Sequence, residues 1–255
     1  MTATPAGITY ADYLRLDQLL SAQQPLSDLH DEMLFIVIHQ TKELWMKELL
    51  HELELAIGLV EVDRFAEAYK AMARISRIQA VMTLSWDVLS TLTPVDYLKF
   101  RSVLGTSSGF QSVQFRMIEF RLGLKEPNFL NQYEDGSSAR AALENALSAV
   151  SLREASQAAL ERAGFDLGDR SLDAVANAWL EVYRDSERWF DLYELAEKLV
   201  DIDDALAGWR HKHVLTVERI IGNRPGTGGS AGAPYLRATL DKRVFPELWA
   251  LRTDL

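Results

Sequence analysis

The sequence predicts an all-α fold, and three observations carry that expectation. Apolar residues recur at helical spacing along nearly the whole chain, helix start and stop signals punctuate it, and no alternating run is long enough for a strand. The stretch from 30 to about 60, HDEMLFIVIHQTKELWMKELLHELELAIGLV, is rich in Leu, Met, Glu and Lys, and Ser27 or Asp28 is placed to cap its start. Within it, residues 33–38 are apolar on every side, which predicts burial all round. A second helix is expected over about 65–92. A third is expected over 94–104, with Thr93 as N-cap, Pro94 at its first position, Asp96 at its third and Gly105 as the stop. TSSG at 106–109 reads as a loop with a serine cap, after which Phe110, Val113, Met117 and Phe120 recur at helical spacing. A break at about 126–138 precedes two longer helical stretches, 139–163 and 171–221, the second with a split expected near 201–204. The Gly-rich stretch 222–232, a short helix around 235–242 and the tail FPELWALRTDL close the chain. There is no internal repeat and no composition shift of the kind a linker makes, so residues 1–255 read as one domain.

Composition narrows the function. The 255 residues are 48% apolar and 25% charged, ordinary values for a folded protein. Lys and Arg total 27 against 37 Asp and Glu, a net charge of −10 that argues against general nucleic-acid binding. With no cysteine, disulfides, thiolate metal sites and a cysteine nucleophile are excluded. The start, MTATPAGITYADYL, lacks a basic region followed by an apolar one, and no apolar run reaches the roughly 18–20 residues of a membrane helix. A cytoplasmic protein with no membrane partner is the expectation.

The five histidines can be weighed singly. His213 falls on the stripe Ile202, Leu206, Trp209, His213, Val217 and Ile220, which places an imidazole on the face turned to the core. Such a residue is either a hydrogen-bonded core histidine or an axial ligand to a haem. His39 ends the all-apolar segment, with Phe35 one turn before and Glu43 one turn after. It is a core histidine or, with Glu43, half of a non-haem metal site. Glu48 and His51 form a Glu-x-x-His, but a di-iron centre needs two, and His51 among Glu48, Glu52 and Glu54 reads as solvated. His30 is expected near a helix start and His211 in solvent.

GTGGSA at 226–231 formally matches a dinucleotide loop, but no strand precedes it. It is a mobile linker or a loop whose bare amides and Thr227 hydroxyl approach an anion. Arg101 follows Tyr97 by one turn. It is a surface residue or a planar fork for a carboxylate.

Together these segments resemble the tryptophan 2,3-dioxygenase family over nearly the whole chain, least in about 126–200. The blocks that carry the resemblance are YADYLRLDQLL from Tyr10, HDEMLFIVIHQTKELWMK from His30, SGFQSVQFR from Ser108, HVLTVERIIG from His213 and GTGGS from Gly226. The resemblance implies an all-α homotetramer carrying haem b that inserts O2 across the indole C2–C3 bond of L-tryptophan to give N-formyl-L-kynurenine. It implies His213 as the iron ligand and His39 as the group that meets the indole N–H. Phe35 would line the indole pocket, Arg101 and Tyr97 would hold the carboxylate, and Leu104 would form the adjoining wall. Ser108 and Gly109 would cover the haem edge, and Thr227 would contact the amino-acid backbone of the substrate. Tyr10, Tyr13 and Leu14, in the segment 8–20, would complete a neighbouring subunit's pocket. Ile38, Lys42, His211 and Lys212 depart from residues usual in the family. A related haem monooxygenase acting on the indole of a substituted tryptophan is the alternative, and a haem sensor without turnover is a further one.

Overall fold

The computed structural model describes residues 7–255, so the first six residues of the start discussed above lie outside it. Helices α1 (Tyr10–Leu14) and α2 (Leu16–Leu19) open the chain, separated by Arg15 at φ 53, and neither buries a residue. The long α3 (His30–Glu61) and α4 (Phe65–Leu89) follow, then α5 (Pro94–Phe100), α6 (Val113–Leu122), α7 (Ser138–Ser148) and α8 (Leu152–Arg162). Next come α9 (Leu172–Arg184), the long α10 (Phe190–Ile221), and the short α11 (Ala233–Arg237) and α12 (Pro246–Ala250). No strand occurs among the described residues, so the fold is all-α.

The three long helices form the frame, with α4 packed against both α3 and α10. The chain turns between α3 and α4 at Asp63, whose backbone is left-handed at φ 57. Arg162 at the end of α8 fastens that turn, donating to the Asp63 carboxylate and to the Val60 carbonyl at 2.7 Å. Leu53 and Val60 of α3, Met72 and Ile75 of α4 and Leu195 of α10 expose nothing. Each such side chain contributes roughly 1.5–3 kcal/mol. Alanines 56, 68, 71 and 196 lie among them and let the helices approach closely.

Several local expectations are corrected. Neither Ser27 nor Asp28 caps α3, whose N-cap is Leu29 with no side-chain bond. Instead the buried Glu32 reaches back from the first turn and accepts from the amides of Leu26 and Ser27, both at 2.8 Å. Residues 33–38 are not buried all round. Ile38 is buried, but Met33 and Val37 face outward, because α3 is covered on one side only within this chain. The third helix is α-helical only to Phe100 and tightens to a 3-10 turn over Arg101–Leu104. A short 3-10 turn holds Phe110, and α6 begins at Val113 under a Ser112 cap. The stretch 139–163 is two helices, because Ser151 starts a new one with a capping box to Glu154. The stretch 171–221 does divide, but at residues 185–189. The helix around 235–242 is shorter, ending at Arg237.

The acidic cluster near 201–204 failed as a breaker because one of its members points inward. Asp203 is fully buried on α10 and accepts from the amides of Val244 and Phe245 and from the Trp249 indole N–H at 2.9 Å. That one carboxylate ties the C-terminal tail to the frame. Asp203→Ala would strand three buried donors and should cost about 3 kcal/mol or more, with Asp203→Asn recovering part. Urea unfolding of the two variants measures it.

Candidate functional site

α3, α4 and α10, together with the 106–112 and 222–232 loops, enclose a cavity with about 1470 Å³ of empty space, part of it continuous with solvent. Met46 of α3, Leu89 of α4, Phe115 of α6 and Val217 and Ile220 of α10 supply much of its apolar wall.

His213 lines this cavity from α10. Its ring stacks on Trp86 of α4, with centroids 4.2 Å apart and planes at 11°, and Trp209 lies one turn before it at 5.3 Å. Burial, aided by the nearby Lys42 charge, lowers its pKa to about 3, so the imidazole is neutral. His39 lines the same cavity from α3. Its Nδ1 lies 2.7 Å from the Phe35 carbonyl, which has no proton to give, so Nδ1–H donates and Nε2 is left as an acceptor. Burial lowers its pKa as well, which keeps it neutral near pH 7. The Phe35 ring packs on His39 at 4.2 Å and continues to Tyr97 at 5.9 Å.

Two loops close the cavity. Thr227 of the Gly-rich loop donates its hydroxyl proton to the Ser107 carbonyl. Gly228 lies so close to the facing loop that an added Cβ would stand 2.5 Å from Ser108 Cβ, which is why a glycine is needed there. Ser108, Gly109 and Thr227 all line the cavity, as does Tyr97. Arg101 and Leu104 stand behind that lining. Arg101 donates from Nη2 to the Pro225 carbonyl and so braces the Gly-rich loop from outside, while Leu104 packs on the core. Tyr10 and Tyr13 are 75% and 72% exposed and Leu14 is 40% exposed, away from this chain's cavity.

The other readings fare differently. Glu43 is engaged by Gln114, which donates to its carboxylate at 2.8 Å, and no group of three or more His, Asp or Glu suited to a metal ion occurs among the described residues. His51 and His211 are exposed, and His30 is the first residue of α3. The Gly-rich loop follows a helix, so the dinucleotide pattern has no strand to stand on. No helix among the described residues is long and apolar enough to cross a membrane.

The sequence profile of the tryptophan 2,3-dioxygenases matches residues 1–168 and 165–255. The chain is 60% identical to a tryptophan 2,3-dioxygenase of Caulobacter vibrioides, over 97% of this chain and 98% of that one. It is 51% identical to one from Bacillus thuringiensis subsp. konkukian, over 98% and 93%. One from Shewanella woodyi is 48% identical, over 97% and 91%. The chain belongs to the tryptophan 2,3-dioxygenase family.

Several cavity residues of this family member were not singled out from the sequence as part of the site. Trp86 and Trp209 flank His213, and each indole N–H is buried without a partner. Arg116 and Arg210 both donate to the buried Glu119 carboxylate, a pairing of two guanidinium groups with one carboxylate, and Arg116 Nε is left unpartnered. Lys42 Nζ is likewise buried and unpartnered. Trp209 was legible as the residue one turn before His213. Trp86 and Arg116 lie far away in sequence and carried no signal that they share this cavity. Four orphaned buried donors on one cavity are costly unless something that accepts hydrogen bonds fills it. Gly228→Ala should separate the two loops and speed proteolytic cleavage within 222–232 several-fold. Gly109→Ala, where an added Cβ meets nothing within 4 Å, should leave the cleavage rate unchanged.

Proposed function

We propose that the chain is a haem-dependent dioxygenase that opens the indole ring of L-tryptophan to N-formyl-L-kynurenine. The observation that carries this reading is the pair of neutral histidines, His39 and His213, on one large apolar cavity. The residues present fit a haem. The walls suit a flat apolar group, His213 offers an uncharged ring nitrogen, and the surplus of positive charge and orphaned donors suits a ligand with carboxylates.

In this reading His213 would hold the iron, and Ser108 and Gly109 would cover the edge of the haem. Ferrous haem, when bound, supplies the activation of O2, so the protein need not provide a nucleophile. The chain's part is to bind and orient. The Phe35 ring takes the flat face of the indole, and Nε2 of His39 accepts the indole N–H. His39 acts as an acceptor rather than an obligatory base, because the proton need not leave for the C2–C3 bond to break. Both atoms of O2 enter the product, so atoms balance without an external reductant.

Arg101 offers the substrate carboxylate the guanidinium positions other than Nη2, and Tyr97 lies one turn before it on α5. Thr227 approaches the amino-acid end, its hydroxyl oxygen still able to accept from the substrate ammonium. The exposed apolar side chains of α1 support a homotetramer in which Tyr10, Tyr13 and Leu14 complete a neighbour's pocket.

Turnover under isotopically labelled O2 tests the reaction. The product of L-tryptophan should gain two labelled atoms and His213→Ala should retain little haem. A single labelled atom would instead indicate a monooxygenase. Arg101→Ala should lower kcat/KM for L-tryptophan by about two orders of magnitude, because losing charge-assisted bonds costs roughly 1.5–3 kcal/mol each. Arg101→Lys should recover only part. Tryptamine, without a carboxylate, should be a poor substrate whose turnover responds much less to Arg101→Ala.

A further inference from the structure

Two buried guanidinium groups on the cavity share a single carboxylate. Arg116 of α6 and Arg210 of α10 both donate to Glu119 of α6, Arg210 at 2.8 Å. The three side chains are 4–7% exposed, so one positive charge is left over where water barely reaches. Arg210 gives a further N–H to the Lys242 carbonyl at 2.7 Å. Arg116 keeps one in hand, because its Nε is buried and has no partner. Its guanidinium lies 3.8 Å from the centroid of Phe129 and 5.3 Å from that of Phe110. Those rings steady the cation but do not replace an in-plane acceptor. Nη2 of Arg116 donates to the Tyr235 hydroxyl oxygen at 3.4 Å, which leaves the Tyr235 O–H to donate in turn. Arg116, Glu119, Arg210 and Tyr235 all line the cavity.

We propose that Arg116 and Tyr235 form a carboxylate-binding site on the cavity wall. The inference rests on the haem reading above, which brings two kinds of carboxylate into the cavity, those of the haem and that of the amino-acid substrate. Placement favours the haem. Haem b carries both its carboxylates on one edge, and Phe110 directly follows Ser108 and Gly109, the pair that would cover a haem edge. The Phe110 ring meets Tyr235 edge-on at 5.1 Å, so the site stands beside that pair. The substrate carboxylate has Arg101 in the same reading. A carboxylate here would accept from Arg116 Nε and from the Tyr235 hydroxyl, and two carboxylates would then face two guanidinium groups. Water or a neutral ligand would satisfy the donors and leave the charge unbalanced.

The test is the rate of haem release to excess apomyoglobin, from protein loaded with haem b and from protein loaded with its dimethyl ester, which has the same ring and no carboxylate charge. From the parent the ester should leave about tenfold faster or more, since charge-assisted bonds are lost. In Arg116→Met the free acid should leave faster than from the parent, and the ratio between the two pigments should shrink several-fold. Tyr235→Phe, which removes one hydroxyl, should shrink the ratio less and covers the case in which Arg116→Met fails to fold. A guanidinium that only supported the fold would speed both pigments alike and leave the ratio as in the parent. Spectral titration of the loaded variants with L-tryptophan and with tryptamine separates the two sources. An unchanged ratio with weaker binding of tryptophan, and not of tryptamine, would assign the site to the substrate carboxylate. An unchanged ratio without that selective loss would overturn the inference while leaving the haem reading intact. A parent protein that takes up no haem would overturn both.

Discussion

Because α4 is packed on both sides, against α3 and against α10, one indole can touch groups from both. Trp86 does so, with Lys42 of α3 over its ring and His213 of α10 stacked on it. The position of His213 therefore depends on the spacing of three helices. That spacing is set further down the frame by side chains that expose nothing, Leu53, Met72, Ile75 and Leu195 among them. Loosening that packing would misplace the imidazole even though no cavity residue changed.

The C-terminal tail and the cavity's loops are tied down by a few polar groups. Asp203 ties the C-terminal tail to α10 from the core side, and Arg210, two turns further along, donates to the Lys242 carbonyl of the same tail. Arg210 also reaches Glu119 of α6, so one guanidinium links α10, α6 and the tail. The loops are joined to each other by Thr227 on Ser107 and by Arg101 on Pro225, with Gly228 permitting the close approach. A frame of buried apolar contacts fixes the His213 ring, and two loops close the mouth of the cavity beside it.

The polar residues on the cavity are a local departure from the rule that buried donors are paired. Elsewhere Trp189 and Arg243 also leave a buried donor unpartnered, while other buried groups are well paired. Glu32 takes two backbone amides and Asp203 three donors in all. On the cavity, Lys42, Trp86, Trp209 and Arg116 each retain an unpartnered buried donor. Such concentrated frustration marks where a fold gives up stability for a ligand.

The sequence by itself determined the helical class, the stripe that turns His213 inward and the caps at Thr93 and within 106–109, where Ser108 caps a 3-10 turn, because these depend on residues within a turn or two of each other. The family blocks also placed His39, Phe35, Ser108, Gly109 and Thr227 in one site, and all five line a single cavity. What local pattern could not decide was which polar residue points inward and which partner it finds. The acidic run at 201–204 looked like a helix break until Asp203 met the tail some forty residues on. The all-apolar run at 33–38 looked buried, yet Met33 and Val37 are exposed. Leu104 read as a wall of the site and Arg101 as its carboxylate clamp, yet neither lines the cavity and Arg101 is bonded to Pro225. Trp86 gave no sign of its place at all, since its neighbours Lys42 and His213 come from other helices. Local periodicity constrains which face of a helix is apolar, but the distance between two faces is a property of the packed chain, and only the tertiary structure decided it.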